Sequence, residues 1–154
     1  MDYQVVKWLH VLSSTLLFGT GLGSAYYMFF ASRTRDPRVI AVVVRHVVIA
    51  DLLFTATTVV FQPLSGFYLA YLAGFPLHSR WIVWSIVLYL VAGACWLPVV
   101  WMQMRMRDMA VRAIQQEQAL PAQYERYLKR WVLLGIPAFT ALVVVFYLMV
   151  AKPI

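Results

Sequence analysis

The chain is poor in charge, in acid and in cysteine, and each shortage excludes something. Its 154 residues hold a single cysteine, Cys95, so no intrachain disulfide and no multi-cysteine zinc or iron–sulfur motif can be built. Cys95 lies inside an apolar run and reads as a packing residue. Only six residues are acidic and only 12% are charged, roughly half the share usual in a soluble domain. What is abundant is apolar surface: 63% of the residues are hydrophobic and the mean hydropathy is +0.76. A water-soluble fold of this length could not cover so much apolar area, so the chain reads as an integral membrane protein. The net charge of +7 does not point to nucleic acid. The basic residues lie between apolar runs, where topogenic signalling and anionic headgroups account for them. No cleavable leader is expected, because the first apolar stretch lacks a basic start and a small-residue cleavage site and carries a histidine instead.

Spans of about 20 apolar residues suffice to cross a bilayer, and four are predicted, at about 3–31, 51–73, 81–102 and 132–151. The basic loop Ser32–Arg38 closes the first. The run that follows is too long for one perpendicular crossing, so 39–50 is expected to be a cytoplasmic lead-in with Arg45 and His46 near the headgroups. Pro63 should kink the second span and free a backbone carbonyl. The amphipathic, basic stretch 103–131 is expected to form a solvated cytoplasmic hairpin that meets lipid headgroups, the third helix ending near Leu120–Pro121. The predicted fold is therefore all-α: one domain, 1–154, an integral membrane four-helix bundle whose third and fourth helices extend into the cytoplasm. Ten of the thirteen lysines and arginines flank two loops, against Lys7, Arg80 and Lys152 at the other end. The basic end stays cytoplasmic, which puts both termini outside. Trp8, Trp81, Trp131 and Tyr147 fall near span ends, as interfacial belts require.

Helical spacing gathers polar residues into stripes. On the first span His10 shares a face with Ser13, Ser14, Leu17, Gly21 and Ser24, while Leu9, Leu12, Leu16 and Tyr27 make an apolar face. The second span has Asp51, Thr55, Thr58, Gln62 and Ser65 or Gly66; the third has Ser85, Tyr89, Ala92, Trp96 and Gln103. Polar stripes on spanning helices must face protein or a cavity, and a pocket toward the outer half is expected. Matching depths puts His10 beside Gln62 to Gly66, Tyr89 and Val144 or Val145. A histidine there can ligate haem iron, move a proton or hydrogen-bond between helices. Asp51 either pairs with Arg45 or a neighbouring arginine or serves a proton relay. His46 and His78 fall at opposite faces, and His78, on the His10 side, is the better second ligand. Gly19, Gly21 and Gly23 admit a flat cofactor or a neighbouring helix.

Lys7-Trp8-Leu9-His10 resembles the K-x-x-H signature of the HemJ-type protoporphyrinogen oxidases, and the architecture is similar to that of CopD-like membrane proteins. The chain resembles more closely still a bacterial family of four-span membrane proteins of unknown function. That match is carried by KWLHVLSSTLLFGTGLGSAYY, ADLLFTATTVVFQPLSGFYLA, LYLVAGACWLPVVWMQ and Leu134 to Phe139. The chain departs from HemJ proteins after Trp81, where Ile82-Val83-Trp84-Ser85 replaces a lysine-bearing stretch, and in lacking an Asn-Glu-x-Pro ending. The resemblance implies a b-type haem held by His10, with Lys7 near a propionate or substrate carboxylate. The expected function is a haem-binding redox or electron-transfer protein, conceivably a haem-dependent oxidoreductase, in a bacterial inner membrane. Its expected cofactor-binding residues are His10, Lys7, Ser14, Gly21, Gln62 and Tyr89, with His10 and His78 as iron ligands. Its expected partners are the bilayer, a membrane redox protein and a second copy of itself. The alternatives are a proton-coupled transporter using Asp51 and His10, and a structural subunit without haem.

Overall fold

Residues 2–153 of the chain are described by a computed structural model. They form four helices, α1 (Tyr3–Arg33), α2 (Pro37–Leu72), α3 (Arg80–Gln115) and α4 (Ala122–Ala151), each long and apolar enough to cross a membrane. The ends are chemically marked. The Asp2 and Asp36 side chains accept from the backbone N–H of Gln4 and Arg38 and so cap α1 and α2, and Pro37 occupies the first turn of α2. α3 stops at Gln115, five residues short of the Leu120–Pro121 limit read from sequence. The cause is local. Glu117 enters the left-handed region (φ 52°), its N–H bonds to the Ile114 carbonyl, and the Gln118 N–H returns to the Ala113 carbonyl at 3.0 Å. That double closure terminates a helix without glycine or proline.

Residues 39–50, the expected lead-in, are the first turns of one continuous helix. Helix α2 runs unbroken from Pro37 to Leu72, and its one irregularity is a widened turn at Asp51–Thr55, where the Ala56 N–H reaches back to the Asp51 carbonyl. At about 1.5 Å per residue the 36 residues of α2 or of α3 extend roughly 54 Å. A hydrocarbon core is about 30 Å thick, so both helices overshoot it.

The helices associate as two hairpins. α1 lies against α2 and α3 lies most extensively against α4; the hairpins join where the first half of α2 meets α3, while α1 and α4 touch only sparsely. Where they join, at the end rich in arginine, is the hydrophobic core: Met28, Ile40, Val44, Val47, Val48, Met102, Met106, Ala110, Tyr124 and Trp131. The inward face of 103–131, the stretch expected as a solvated hairpin, belongs to this core. Trp131, read as a belt residue, is likewise buried in that core. The Tyr124 hydroxyl donates to Ser32 Oγ at 2.7 Å, which donates in turn to the Met28 carbonyl at 2.8 Å, and Arg35 meets Glu125 at 3.6 Å. The other half of the bundle buries small and polar groups instead, among them Ser13, Thr58, Gln62, Ser65, Ser85 and Ala92, and turns Leu64, Leu97 and Val150 outward. The contrast follows from the solvent. Water drives apolar side chains together, whereas lipid does not, and helices in lipid associate through small residues and interhelical hydrogen bonds.

Candidate functional site

At the end that carries both termini, α1 meets α2 through His10. Its Nδ1 lies 2.7 Å from Ser65 Oγ, and Gln62 Nε2 donates to the His10 carbonyl at 2.9 Å. Ser65 has one hydroxyl proton, and it is directed to the Phe61 carbonyl at 2.7 Å. In the tautomer that keeps the Ser65–Phe61 bond, the imidazole donates from Nδ1 and carries its lone pair on Nε2. Glycine at 66 admits the ring, because a Cβ there would stand 3.4 Å from His10 Cε1.

A turn further into α2, Pro63 has no N–H to give the Val59 carbonyl. The Tyr89 hydroxyl reaches across from α3 and donates to that carbonyl at 2.8 Å. The carbonyl freed by the proline is thereby satisfied, and a polar link holds the two hairpins together where their backbones stand apart.

Between the hairpins lies a cavity of about 600 Å³ with walls from all four helices. It is nearer the basic end than the outer pocket expected from sequence, and His10 is not part of its wall. Leu17 and Gly21 of α1, Val59 of α2, Trp96 of α3 and Phe139 of α4 contribute to a mostly apolar lining. A Cβ at Gly21 would sit 3.3 Å from the Phe139 ring, whereas one at Gly93 would meet nothing within 4 Å. At one end the lining turns polar, with Asp51, Thr55, Gln103 and Trp131. Thr55 donates to Asp51 Oδ1 at 3.0 Å, and the Gln103 amide approaches the same carboxyl from α3. Arg45 is exposed and no basic side chain among the described residues pairs with Asp51, so the arginine pairing weighed from sequence is replaced by Thr55 and Gln103. Two further atoms of this cluster have no partner: Gln103 Oε1 and Trp131 Nε1 are both buried and unbonded among the described residues. The carboxyl sits on the widened turn of α2, a local geometry that recurs at functional positions.

The residues singled out from sequence divide accordingly. His10 and Gln62 come together at the terminal end; Gly21 and Tyr89 line the cavity. Lys7 is exposed, its ammonium 5.9 Å above the Tyr3 ring. The Ser14 hydroxyl folds back onto the Val11 carbonyl at 2.7 Å, and the buried serine of that pair is Ser13, whose Oγ has no partner. His78 is exposed in the α2–α3 loop, while the His10 hydrogen bonds go to α2. Trp131 was missed as a site residue because it directly follows Lys129 and Arg130, as an interfacial tryptophan does; the cue was the depth it shares with Gln103.

A haem needs an axial donor beside space for its macrocycle. The cavity lining offers no histidine, methionine, cysteine or lysine, and His10, with its free Nε2, lies outside it. Neither do the described residues contain a cluster of three or more histidine, cysteine, aspartate or glutamate side chains able to hold a metal ion. His10 and the cavity thus lie apart in the bundle.

No curated protein and no solved structure matches the chain. A family model described as predicted integral membrane protein (DUF2269) matches residues 4–153. With nearly its whole length covered, and four helices able to span a bilayer, the chain belongs to the DUF2269 family of integral membrane proteins.

Proposed function

We propose that this protein binds a lipid-soluble, amphipathic small molecule in the cavity between its two hairpins. One observation carries the reading: the cavity between the hairpins is apolar along most of its length and turns polar at one end, where Asp51, Thr55, Gln103 and Trp131 line it. A ligand with a polar head at that end and an apolar body along Val59, Trp96 and Phe139 matches both parts of the lining. About 600 Å³ falls within the usual range of small-molecule pockets, roughly 300–1,000 Å³. The sparse contact between α1 and α4 gives such a molecule a lateral way in from the bilayer. The basic end, in this reading, faces the cytoplasm of a bacterial inner membrane, in keeping with the arginine bias.

The test compares lipid extracts of purified wild-type protein and Gly93→Leu by mass spectrometry. A Cβ at Gly93 meets nothing within 4 Å and Gly93 lines the cavity, so leucine there projects into the space and narrows it. A molecule enriched in the wild type and absent from Gly93→Leu is the expected result. The same extract profile from both overturns the reading.

A b-type haem on His10 with a redox role is the second reading, and the free Nε2 lone pair favours it. An absorption spectrum separates the two. A Soret band that His10→Ala removes and Gly93→Leu leaves intact supports haem, and colourless protein that hemin cannot reconstitute ends it.

A further inference from the structure

The cavity between the hairpins opens sideways, and the opening has a defined frame. Of the residues that line the cavity, the exposed ones, Leu22, Tyr26, Phe30, Ile136 and Thr140, all stand on α1 and α4. The gap between these two helices is closed at both ends. Toward the arginines, the Tyr124 hydroxyl meets Ser32 Oγ at 2.7 Å. Toward the termini, the Phe139 ring packs edge-on against Phe18 with centroids 5.6 Å apart and lies against Gly21. Ser32 and Gly21 are about 16 Å apart along α1 at 1.5 Å per residue, which sets the height of the window. The space behind it follows α1 from Leu17 to Phe30, about 20 Å, and one leaflet of hydrocarbon is about 15 Å deep. On the water side of the window, Met28, Met106 and Tyr124 pack into the hydrophobic core, so the way in is from lipid and not from solution.

We infer that the window admits an acyl chain of an anionic phospholipid from the leaflet at the basic end, an inference that rests on the binding function proposed above. The chain occupies the apolar space while the phosphate stays outside, at the basic rim of the window. That rim is cationic on both helices. Arg33 follows Leu22, Tyr26 and Phe29 at helical spacing, and its guanidinium lies 6.0 Å from the ring of Phe29, a residue of the cavity wall. Lys129 is exposed and stands three residues before Val132 and seven before Ile136, so it shares their face of α4. Glu125, the acid on that face, is engaged by Arg35 at 3.6 Å. Charged side chains mark the headgroup level, because hydrocarbon rejects them. Arg33 and Lys129 therefore set lipid phosphates beside the window. A zwitterionic head brings an ammonium to the same rim and gains less there, and an uncharged lipid gains nothing.

Photoreactive lipids test the chain and the head separately. Phosphatidylglycerol and phosphatidylcholine, each with a diazirine midway along one acyl chain, are added in equal trace amounts to phosphatidylcholine nanodiscs that hold the protein. After irradiation, mass spectrometry assigns the labels to residues. Label at Val59 and Trp96 on the cavity wall is divided by label at Leu64 and Leu90, each 64% exposed. That ratio cancels any general enrichment of anionic lipid around a basic protein. Each lysine or arginine near the surface favours an anionic lipid about fivefold, so the wall ratio for phosphatidylglycerol is expected about 25-fold above that for phosphatidylcholine. Arg33→Gln and Lys129→Gln should each lower the preference about fivefold. Gly93→Leu should remove the wall label of both probes and leave the outward label. Equal wall ratios for the two heads, or a preference that survives the double glutamine variant, overturn the anionic assignment. Label confined to the outward residues overturns entry of an acyl chain. The cavity reading then still stands where Gly93→Leu strips a co-purified molecule from the extract, and falls where the extract is unchanged.

Discussion

Tyr89 and Pro63 lie on different helices and act in opposite senses on one carbonyl, that of Val59, which makes them a test of how this bundle is held together. The proline withholds an N–H from the Val59 carbonyl, and the Tyr89 hydroxyl supplies a replacement at 2.8 Å. Tyr89→Phe removes that donor and leaves a carbonyl unsatisfied in an apolar surround. Orphaned buried acceptors cost about 1–3 kcal/mol in proteins generally, whereas interhelical hydrogen bonds measured in lipid average only about 0.6 kcal/mol and reach about 1.7. An expected loss of about 1 kcal/mol lies between these ranges. Pro63→Ala restores a backbone N–H four residues after Val59, so in that background the hydroxyl is redundant and Tyr89→Phe should cost little. The double-mutant coupling is therefore expected near 1 kcal/mol, above the roughly 0.3–0.5 kcal/mol within which independent sites add. Reversible unfolding in mixed micelles, titrated with sodium dodecyl sulfate and followed by circular dichroism, measures it. Strictly additive effects would refute the claim that the hydroxyl replaces the bond the proline forfeits, and the polar link between the hairpins would go with it.

Packing at the arginine-rich end should dominate stability. Met106→Ala, at a wholly buried core position, is expected to cost about 2–5 kcal/mol in the same assay, and Leu97→Ala, at a site that is 66% exposed, about 0.5 kcal/mol or less. Gly21→Leu drives a side chain toward the Phe139 ring, 3.3 Å from where its Cβ would be, and should lower the monodisperse fraction on size-exclusion chromatography; Leu16→Phe, on an exposed face, should not. With the basic end inside, cysteines introduced at the exposed Thr34 and Gln116 should resist an impermeant thiol reagent in intact cells and one at Ser79 should react, and the reverse pattern would invert the orientation.

Helix number and face were legible because they rest on long-range averages of hydropathy and on the helical period. Asp51, Thr55, Thr58, Gln62 and Ser65 share a face by spacing, and all five are buried. His10 beside Gln62 and Ser65 followed from matching depths, since equal rise per residue makes depth a count. The packing of the basic end was not legible for a related reason. Its amphipathic pattern, with Met102, Met106 and Ala110 on one face and Arg105 and Arg112 on another, fits a lone helix on a lipid surface as well as one face of a water-excluding core. Only the partner decides, and the partner, Ile40 to Val48 on α2, lay in a stretch whose length had been taken as surplus to a single crossing. The facing stripes announced a pocket, but its place nearer the basic end was not legible. Its volume comes from the splay of α1 away from α4, a property of four helices together that no single helix encodes.

The cavity lies beside the boundary between two kinds of packing, and that position explains its composition. Toward the arginines, side chains are large and apolar and fill their space, as Met106 and Tyr124 do; toward the termini they are small and polar and bring backbones close, as Ser65 does with His10. Where one regime passes into the other the helices are neither driven together by water nor drawn together by small residues. Asp51, Gln103 and Trp131 stand at that transition, and Trp131 belongs at once to the core and to the cavity wall. A carboxyl without a cation and two unpartnered polar atoms are costly there. Stability alone would favour leucine at 51, methionine at 103 and phenylalanine at 131, because apolar replacements of similar volume are often neutral or better in buried polar clusters. The cluster is therefore better explained by what it can hold than by what it holds together, the reverse of Tyr89, whose hydroxyl closes a gap that Pro63 opens.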